Sequence, residues 1–338
     1  MMKILRYILF PFAPIYYLVT WFRNKLYDVG IKKSKSYNFP VICVGNLSVG
    51  GTGKTPMIEY LISILKNDYK VATLSRGYKR QTKGYYLADK KASALTIGDE
   101  PFQFYSKFKK DISVAVDANR QNGISELQKL KNSPEIILLD DAYQHRKVKA
   151  GLNILLTTYT NPYFEDFVLP TGDLREPKHG VKRADIIVVT KCPDDLDEAT
   201  KAAFIKQIRP NKNQSIFFSS IGYSNEVISE NSNIELKDLS NFTLVTGIAN
   251  AKPLVDFLNS KHLNFEHLNF KDHHEFSQQD ISELNNIALD SIEITERLLK
   301  RIGNWDVSLP QPVFLEGAVW KRRQLDLYDV KYPLAQPE

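Results

Sequence analysis

A short apolar run followed by a glycine-rich segment constrains the fold of this chain more than any other feature. The run covers residues 41–44, and the glycine-rich segment covers residues 48–55. Glycines have no Cβ atom, so successive backbone N–H groups can converge on phosphate oxygens. A strand that leads into such a turn predicts a nucleoside triphosphate site on a phosphate loop. The predicted loop residues are Ser48, Val49, Gly50, Gly51, Thr52, Gly53, Lys54 and Thr55.

The end of this loop carries the side chains that phosphate chemistry needs. We expect Lys54 to reach the β- and γ-phosphates and the Thr55 hydroxyl to hold Mg²⁺. Ser48 stands where the common G-x-x-x-x-G-K-[ST] pattern has its first glycine. Pro56 suits the first turn of a helix, and the apolar residues 57–62 suit its buried face. This context favours a phosphate loop over a chance cluster of glycines.

Apolar runs rich in β-branched residues alternate with helical patterns over much of the chain. The alternation predicts an α/β fold of the P-loop NTPase type, a doubly wound and mostly parallel sheet with a second, smaller α/β lobe. Ligands of such sheets bind beyond the carboxyl ends of the strands. The predicted strands are residues 41–44, 71–75, 112–116, 136–140, 153–157 and 186–190, and the predicted helices include 56–66 and 119–130.

The chain is long enough for two domains. We predict an N-terminal membrane-associating helix in residues 1–30, a phosphate-loop core in residues 31–210, and a smaller lobe in residues 211–338 that carries His273. Residues 210–240 are rich in Asn and Ser and are predicted to connect the two parts. In the smaller lobe the predicted elements are strands at 242–246 and 263–270, and helices at 252–260 and from residue 278.

The basic character of the chain lies in its N-terminal arm. The formal net charge is +6, and residues 1–40 hold seven basic residues and one acidic residue, so the remainder is neutral. The neutral remainder of the chain therefore does not indicate nucleic-acid binding. Residues 7–22 carry no charge and would span roughly 24 Å as a helix, short of the roughly 30 Å hydrocarbon core. Aromatic residues and basic flanks favour a helix in the membrane interface, with a signal peptide and a plain core helix as alternatives.

Two acidic motifs are candidates for catalysis and metal binding. The predicted strand at 136–140 leads into Asp140 and Asp141, and behind a phosphate loop such an acidic strand end supplies oxygen ligands for Mg²⁺. Residues 98–101 place Asp99 and Glu100 together in a predicted tight turn. A kinase that acts on a hydroxyl needs a group that takes its proton, but an ordinary turn has the same composition. Both interpretations of this turn stay open.

A third group of titratable residues lies at 272–275, in the sequence Asp-His-His-Glu. Adjacent histidines do not share a helical face and no third ligand is suitably spaced, which disfavours a metal site. A proton-transferring Asp–His pair and a solvated loop both stay open as interpretations of this segment.

Two arginines, Arg76 and Arg175, follow apolar runs, and Arg120 could act together with them. Such arginines suit a bidentate grip on phosphate, with exposed surface arginines as the alternative.

The sequence favours ATP over GTP. Residues 190–194 read Thr-Lys-Cys-Pro-Asp, which is similar to the base-reading [N/T]-K-x-D pattern, but Pro193 occupies the position of the acid and Asp194 comes one residue late.

The chain has two cysteines, Cys43 and Cys192, in apolar contexts without metal-ligand spacing. They predict a reducing cytoplasm, with neither a disulfide framework nor a zinc site.

In this order, the motifs resemble those of the tetraacyldisaccharide 4′-kinases, the lipid A 4′-kinases of Gram-negative bacteria. The resemblance runs from the N-terminal arm to about residue 276, and serine at position 48 is itself typical of this family. Residues 294–300 lack the Lys-Asp pair of a Thr-Glu-Lys-Asp-Ala-like family segment, so residues 290–338 have no assigned role. The segments that carry the resemblance are residues 44–56, 74–78, 98–101, 140–146, 169–177 and 272–273.

The resemblance implies ATP- and Mg²⁺-dependent phosphorylation of the 4′-hydroxyl of a tetraacylated glucosamine disaccharide 1-phosphate, a step of lipid A biosynthesis. It also implies a peripheral location at the cytoplasmic face of the inner membrane, where the N-terminal helix helps to reach the lipid. Asp99 resembles the catalytic base of the family, and His273 resembles the histidine partner of that base. The residues predicted to contact the acceptor or its phosphates are Arg76, Tyr78, Glu100, Arg120, Gln144 and Arg175.

A second function stays open beside this one. A membrane-bound P-loop ATPase that acts as a switch or assembly factor would share the phosphate loop but would have no small-molecule acceptor. The sequence itself indicates no protein partner.

Overall fold

A computed structural model of the chain describes residues 9–228, 233–239, 241–248 and 250–271, together with residues 6, 274, 280 and 313–314. The chain divides into two compact units, Met1–Ile221 with Pro312–Glu338, and Gly222–Gln311. The phosphate loop and the acidic pairs at 99–100 and 140–141 all belong to the first unit.

The first unit is built on a large, mostly parallel sheet. Its labelled strands are β1 (Val41–Asn46), β2 (Val71–Ser75), β3 (Tyr86–Leu87), β4 (Ile112–Val116), β5 (Ile136–Asp140), β6 (Leu152–Thr158), β7 (Ile186–Cys192) and β8 (Ser215–Ser220). Seven strands run parallel in the order β8–β7–β6–β1–β5–β2–β4. The short strand Val313–Phe314 pairs antiparallel with β8, and β3 pairs antiparallel with β4.

Both faces of this sheet are covered, which is why apolar residues predominate in its central strands. Side chains alternate along β1, so that Ile42 and Val44 enter one apolar cluster while Val41 and Cys43 enter another. The helices of this unit are α1 (Ala13–Asp28), α2 (Lys54–Leu65), α3 (Ala94–Ile97), α4 (Asp99–Phe108), α5 (Arg120–Gln128) and α6 (Glu198–Ile208). Helices α2 and α4 pack into the cluster of Ile42, and α5 and α6 pack into that of Cys43.

The second unit contains two small two-stranded sheets among its described residues. Its elements are β9 (Glu226–Ile228), β10 (Asn233–Glu235), β11 (Phe242–Thr246), α7 (Lys252–Ser260) and β12 (Phe265–Asn269). Strands β9 and β10 are antiparallel, whereas β11 and β12 are parallel and are connected through α7. The rings of Phe242 and Phe265 stack across β11 and β12 with centroids 5.4 Å apart.

The α/β prediction is confirmed, and all six strands predicted for the core are present within two residues of their limits. Two local predictions are wrong. Residues 210–240 are not a simple connection, because β8 pairs with β7 in the large sheet. Residues 98–101 are not a tight turn, because Asp99 begins α4, where its acidic first turn suits the helix dipole. The helix predicted from residue 278 lies outside the described residues.

Helix α1 forms most of the predicted N-terminal arm. Pro14 lies in its first turn, where the missing N–H costs no intrahelical hydrogen bond. Ala13 belongs to the core cluster of the first unit, and Tyr16 packs against it, so one side of the helix is part of the fold. Among the described residues, no helix combines the length and the apolar character that a membrane crossing needs.

Candidate active site

The phosphate loop leaves the carboxyl end of β1 and ends at the first turn of α2. Gly50 and Gly53 have φ angles of 107° and 86°, which glycine alone adopts without strain. Ser48 has no such positive φ, and its backbone forms an antiparallel bridge with Leu174. A serine therefore fits the position where the common pattern has its first glycine.

The segment that contains Arg175 runs antiparallel beside the phosphate loop. The Val49 N–H donates to the Asp173 carbonyl over 2.7 Å, and the Arg175 N–H donates to the Leu47 carbonyl over 2.7 Å. Two motifs that are more than a hundred residues apart in the sequence thus share one backbone ladder. The side chain of Arg175 is consequently held at the phosphate loop.

Lys54 and Arg175 both reach the carboxylate of Asp141. The Nζ atom of Lys54 lies 3.7 Å from Asp141 Oδ1, and NH1 of Arg175 donates to both carboxylate oxygens over 3.0 and 2.9 Å. Asp141 follows β5 with a φ of 45°, in the left-handed region. The structure therefore brings together three predicted site residues, two cations and one carboxylate, beside the phosphate loop.

Asp140, the last residue of β5, is buried at the same strand end. Its Oδ2 atom accepts a hydrogen bond from the Ser75 hydroxyl over 3.2 Å, whereas its buried Oδ1 atom has no hydrogen-bond partner in the described structure. Burial, together with the nearby carboxylates of Glu100 and Asp141, raises the pKa of Asp140 to about 7. A buried carboxyl oxygen without a hydrogen-bond partner can serve as a ligand for a divalent cation.

Two residues predicted to contact the substrates are engaged inside the fold. Arg120 is buried and its NH2 atom donates to the Asp140 carbonyl over 3.4 Å. Gln144 Nε2 donates to the Asn46 carbonyl over 2.8 Å and to Glu176 Oε1 over 3.1 Å. Both side chains support the carboxyl ends of β1 and β5. Their contact with a substrate stays a prediction.

The start of α4 presents Asp99 and Glu100 to solvent, next to the motif that follows β2. A Cβ atom added to Gly98 would lie 3.0 Å from the carbonyl oxygen of Tyr78. The backbones of the two motifs are therefore in close contact at this point. Because Glu100 is near enough to raise the pKa of Asp140, the start of α4 also faces the acidic end of β5.

A buried carboxylate fixes α4 against the helix that follows the phosphate loop. Glu59 of α2 accepts hydrogen bonds from Gln103 Nε2 over 3.0 Å and from Lys107 Nζ over 2.7 Å. Gln103 and Lys107 lie one and two turns after Asp99 on α4. The sequence motifs do not indicate this link, which sets the position of Asp99 relative to the phosphate loop.

Glu176 is a second buried carboxylate that the sequence motifs did not single out. Its Oε1 atom accepts hydrogen bonds from Arg183 NH2 over 2.8 Å and from Gln144 Nε2 over 3.1 Å, and its Oε2 atom accepts one from Asn24 Nδ2 over 2.6 Å. We call Asn24, Gln144, Glu176 and Arg183 the Glu176 cluster. The cluster joins α1, the loop after β5 and the Arg175 segment, and 152 residues separate Asn24 from Glu176. No local pattern could have indicated it.

The remaining predicted residues are dispersed. Arg76 and Tyr78 are exposed in the loop after β2, and Thr55 is partly buried in the first turn of α2. His273 lies outside the described residues, so its pairing with Asp99 stays a prediction.

Thr190 and Lys191, near the end of β7, contact the phosphate loop, a role that the comparison with a base-reading pattern did not indicate. The Thr190 hydroxyl donates to the Thr52 carbonyl over 2.9 Å. Lys191 Nζ donates to the Gly51 carbonyl over 2.6 Å. These bonds fix the carbonyls of Gly51 and Thr52 and so restrain the backbone of the phosphate loop.

We expect Lys191→Met to weaken ATP binding, because it removes the charged donor that holds Gly51. Loss of such a hydrogen bond costs about 0.5–1.5 kcal/mol, which corresponds to a rise in the KM for ATP of about 2–10-fold. Steady-state kinetics with varied ATP measures this, with Lys212→Met as the control at an exposed lysine. An unchanged KM for ATP would contradict a positioning role for Lys191.

Comparison with known proteins identifies the family. Residues 5–306 match the family described as tetraacyldisaccharide-1-P 4′-kinase. The chain belongs to this family. The match extends beyond residue 276, where the recognised sequence motifs end. The chain is 53% identical to the tetraacyldisaccharide 4′-kinase of Flavobacterium johnsoniae over 85% of this chain and 84% of the relative. It is 50% identical to the protein of that name from Flavobacterium psychrophilum, over 87% and 86%.

A solved structure is similar over nearly the whole length. It is LpxK from Aquifex aeolicus in complex with ATP, with a TM-score of 0.73, 29% sequence identity, and coverage of 96% of this chain and 99% of that chain. The similarity supports the P-loop NTPase fold and a nucleotide site for ATP in this family.

Proposed function

We propose that this chain transfers the γ-phosphoryl group of ATP to the 4′-hydroxyl of a tetraacyldisaccharide 1-phosphate, a step of lipid A biosynthesis. Family membership and identity of about one half to tetraacyldisaccharide 4′-kinases support the activity. The observation that supports the mechanism most directly is the cluster of Lys54, Asp141 and Arg175 beside the phosphate loop.

The phosphate loop and its two cations form the donor half of the proposed site. Loop N–H groups and the N-terminus of α2 would hold the β- and γ-phosphates. Lys54 and Arg175 would compensate the negative charge that spreads over the γ-phosphoryl oxygens in the transition state. Asp141, which contacts both cations, orients them toward the same place.

Two carboxylates at the end of β5 and one hydroxyl in the first turn of α2 fit Mg²⁺. Thr55, Asp140 and Asp141 would hold the ion, and the buried Oδ1 of Asp140 without a hydrogen-bond partner supports this assignment. When bound, Mg²⁺ neutralises charge on the phosphates of the donor. Ser75, which donates to Asp140, would keep the carboxylate oriented.

Asp99 would act as the general base that takes the proton of the acceptor hydroxyl. The 4′-oxygen forms a bond to the γ-phosphorus, ADP leaves, and the hydroxyl proton passes to the Asp99 carboxylate. The exposed Arg76 and Tyr78 would contact the acceptor sugar or its phosphate, with Glu100 beside them. The protein mainly positions the two substrates, which is the usual source of rate in phosphoryl transfer.

A transfer assay separates this function from an ATPase switch. With ATP labelled at the γ-phosphate and a tetraacyldisaccharide 1-phosphate in detergent micelles, we expect label in the lipid product. ATP hydrolysis that requires a protein partner, with no label in lipid, would favour the switch.

We propose further that α1 lies on the cytoplasmic face of the inner membrane. Its outward side is apolar at the spacing i, i+3, i+4, i+7 that places residues on one helix face. Such a face inserts into the boundary between headgroups and acyl chains. The side chains of this face, each more than half exposed, are Ile15, Leu18, Val19 and Phe22.

We expect the double substitution Leu18→Asn with Phe22→Asn to lower membrane binding about tenfold or more, because it removes two large apolar side chains from the interface. Flotation with liposomes measures it. The matched control is Leu95→Asn with Phe167→Asn, two residues that are each 60% exposed elsewhere in the first unit. Equal flotation of both variants would contradict membrane contact through α1.

A further inference from the structure

A cleft of about 810 Å³ opens where α1 ends, outside the proposed active site. It lies between the loop that follows α1, the loop after β5 and the residues just before β6. Ligand sites commonly have volumes of roughly 300–1,000 Å³. The cleft is therefore large enough for a polar headgroup.

The cleft extends toward the opposite end of the strands from the phosphate loop. Strands β1 and β6 are parallel, with Ile42 beside Leu152. Lys149 and Gly151, which line the cleft, precede β6, whereas the phosphate loop follows β1. The lining thus runs from the loop after β5, at the same edge of the sheet as the phosphate loop, to the residues before β6 at the opposite edge.

The lining of the cleft is basic. Its five cationic residues face two acidic ones, Asp28 and Asp185, and the Asp28 carboxylate already binds Arg146 over 2.7 Å. Arg183 is likewise paired, with Glu176. The other three cations are lysines on the rim, which have no ion pair with any described residue, and the cleft therefore has a positive potential that favours an anion. These lysines are Lys32, Lys33 and Lys149.

One polar atom in the lining lacks a partner. His145 Nε2 is buried and makes no hydrogen bond within the described structure. Burial and the surrounding cations, Arg120 first among them, lower the pKa of His145 to about 4. The ring is therefore neutral at pH 7, and the positive potential of the cleft comes from the lysines and arginines.

The rim also carries exposed apolar side chains. Val29 and Ile31, which are 54% and 70% exposed, flank the lining residue Gly30 and directly precede Lys32 and Lys33. They follow the end of α1 in the chain. A basic recess with an apolar rim fits a lipid headgroup better than a small soluble anion, because acyl chains can cover the rim.

We propose that this cleft binds the phosphate-bearing headgroup of an anionic membrane lipid that is not the kinase acceptor. The inference rests on the proposed position of α1 on the bilayer and adds a second contact at its far end. Near the start of α1, Arg6 pairs with the Asp173 carboxylate and the Tyr16 hydroxyl donates to the Arg175 carbonyl. At the end of α1, Asp28 forms an ion pair with Arg146 in the cleft lining. A lipid in the cleft would fix the rotation of the enzyme on the membrane.

Titration calorimetry of the full chain tests the proposal with dihexanoyl phosphatidylglycerol below its critical micelle concentration. We expect one binding site, and affinity about 100-fold lower after the triple substitution Lys32→Gln, Lys33→Gln and Lys149→Gln, because each lysine near a headgroup contributes about fivefold. Dihexanoyl phosphatidylcholine and inorganic phosphate are the comparison ligands, and both should bind at least about tenfold more weakly than the anionic lipid.

A second triple variant with the same change of charge is the control, at the exposed residues Lys90, Lys91 and Lys131. Its binding of phosphatidylglycerol should equal that of the wild type. Inorganic phosphate binding as tightly as the lipid, or equal losses in both variants, would overturn the proposal. Lipid phosphorylation in detergent by the cleft variant should match the wild type, so that a failed kinase assay and a failed cleft proposal give different results.

Discussion

An Asp99→Asn variant is expected to lose about 10²–10⁴-fold in phosphoryl transfer to the lipid while its affinity for ATP stays within about twofold of the wild type. The amide cannot accept the proton of the 4′-hydroxyl, so the reaction would lose its proposed base. In the proposed site ATP is held by the phosphate loop and Lys54, which the substitution leaves intact. Single-turnover transfer of label and equilibrium binding of a fluorescent ATP analogue measure the two quantities.

Two comparisons sharpen this test. Asp194→Asn changes an exposed carboxylate in the loop after β7 and should leave both quantities unchanged. Glu100→Gln changes the carboxylate next to Asp99, which lies close enough to influence Asp140. A large loss of transfer in Glu100→Gln with normal transfer in Asp99→Asn would reassign the base to Glu100. Normal transfer in both variants would contradict a carboxylate base at the start of α4.

Glu176→Ala is expected to lower the free energy of unfolding by about 3–5 kcal/mol, the cost of leaving a partly buried cation without its counter-ion. Glu176 is 2% exposed, and its removal deprives Arg183, Gln144 and Asn24 of their shared acceptor. Chemical denaturation followed by circular dichroism measures the change.

Glu198→Ala is the matched control for this prediction, because Glu198 forms a surface ion pair with Lys201 and its side chain is 89% exposed. Such a pair contributes about 0–1 kcal/mol. Glu176→Gln keeps the volume of the side chain and an acceptor for Asn24, so its loss should be smaller than that of the alanine variant. Equal stability of Glu176→Ala and the wild type would show that the Glu176 cluster does not support the fold.

The core strands were predictable because their signal is local. Strands β1, β2, β4 and β5 are covered on both faces, and apolar residues therefore make up most of each strand. Strand β8 escaped prediction because Ile216, Phe217 and Phe218 are surrounded by serine and asparagine. Only its pairing with β7, a non-local contact, gives it a place in the sheet.

In the candidate site, too, the local sequence motifs were predictable, whereas the contacts between distant segments were not. The residue types of the phosphate loop and of the acidic end of β5 were predictable, because their chemistry requires fixed neighbours in the chain. The contacts of Arg175 with Asp141 and of Lys191 with Gly51 join residues 34 and 140 positions apart. Such pairs depend on the order of strands across the sheet, which no single segment encodes.

Exchange of helix α1, the proposed membrane contact, for another anchor would affect more than membrane binding. A foreign lipid anchor on a flexible linker would restore the local concentration of enzyme at the bilayer. It would not replace the bonds from Tyr16 to the Arg175 carbonyl, from Arg23 to the Gln144 carbonyl and from Asn24 to Glu176. Because these bonds link α1 to the segment beside the phosphate loop, a re-anchored enzyme would stay at the membrane yet turn over slowly. Alignment depends on these bonds of α1, and under the proposed membrane contact the same helix would also provide proximity to the bilayer.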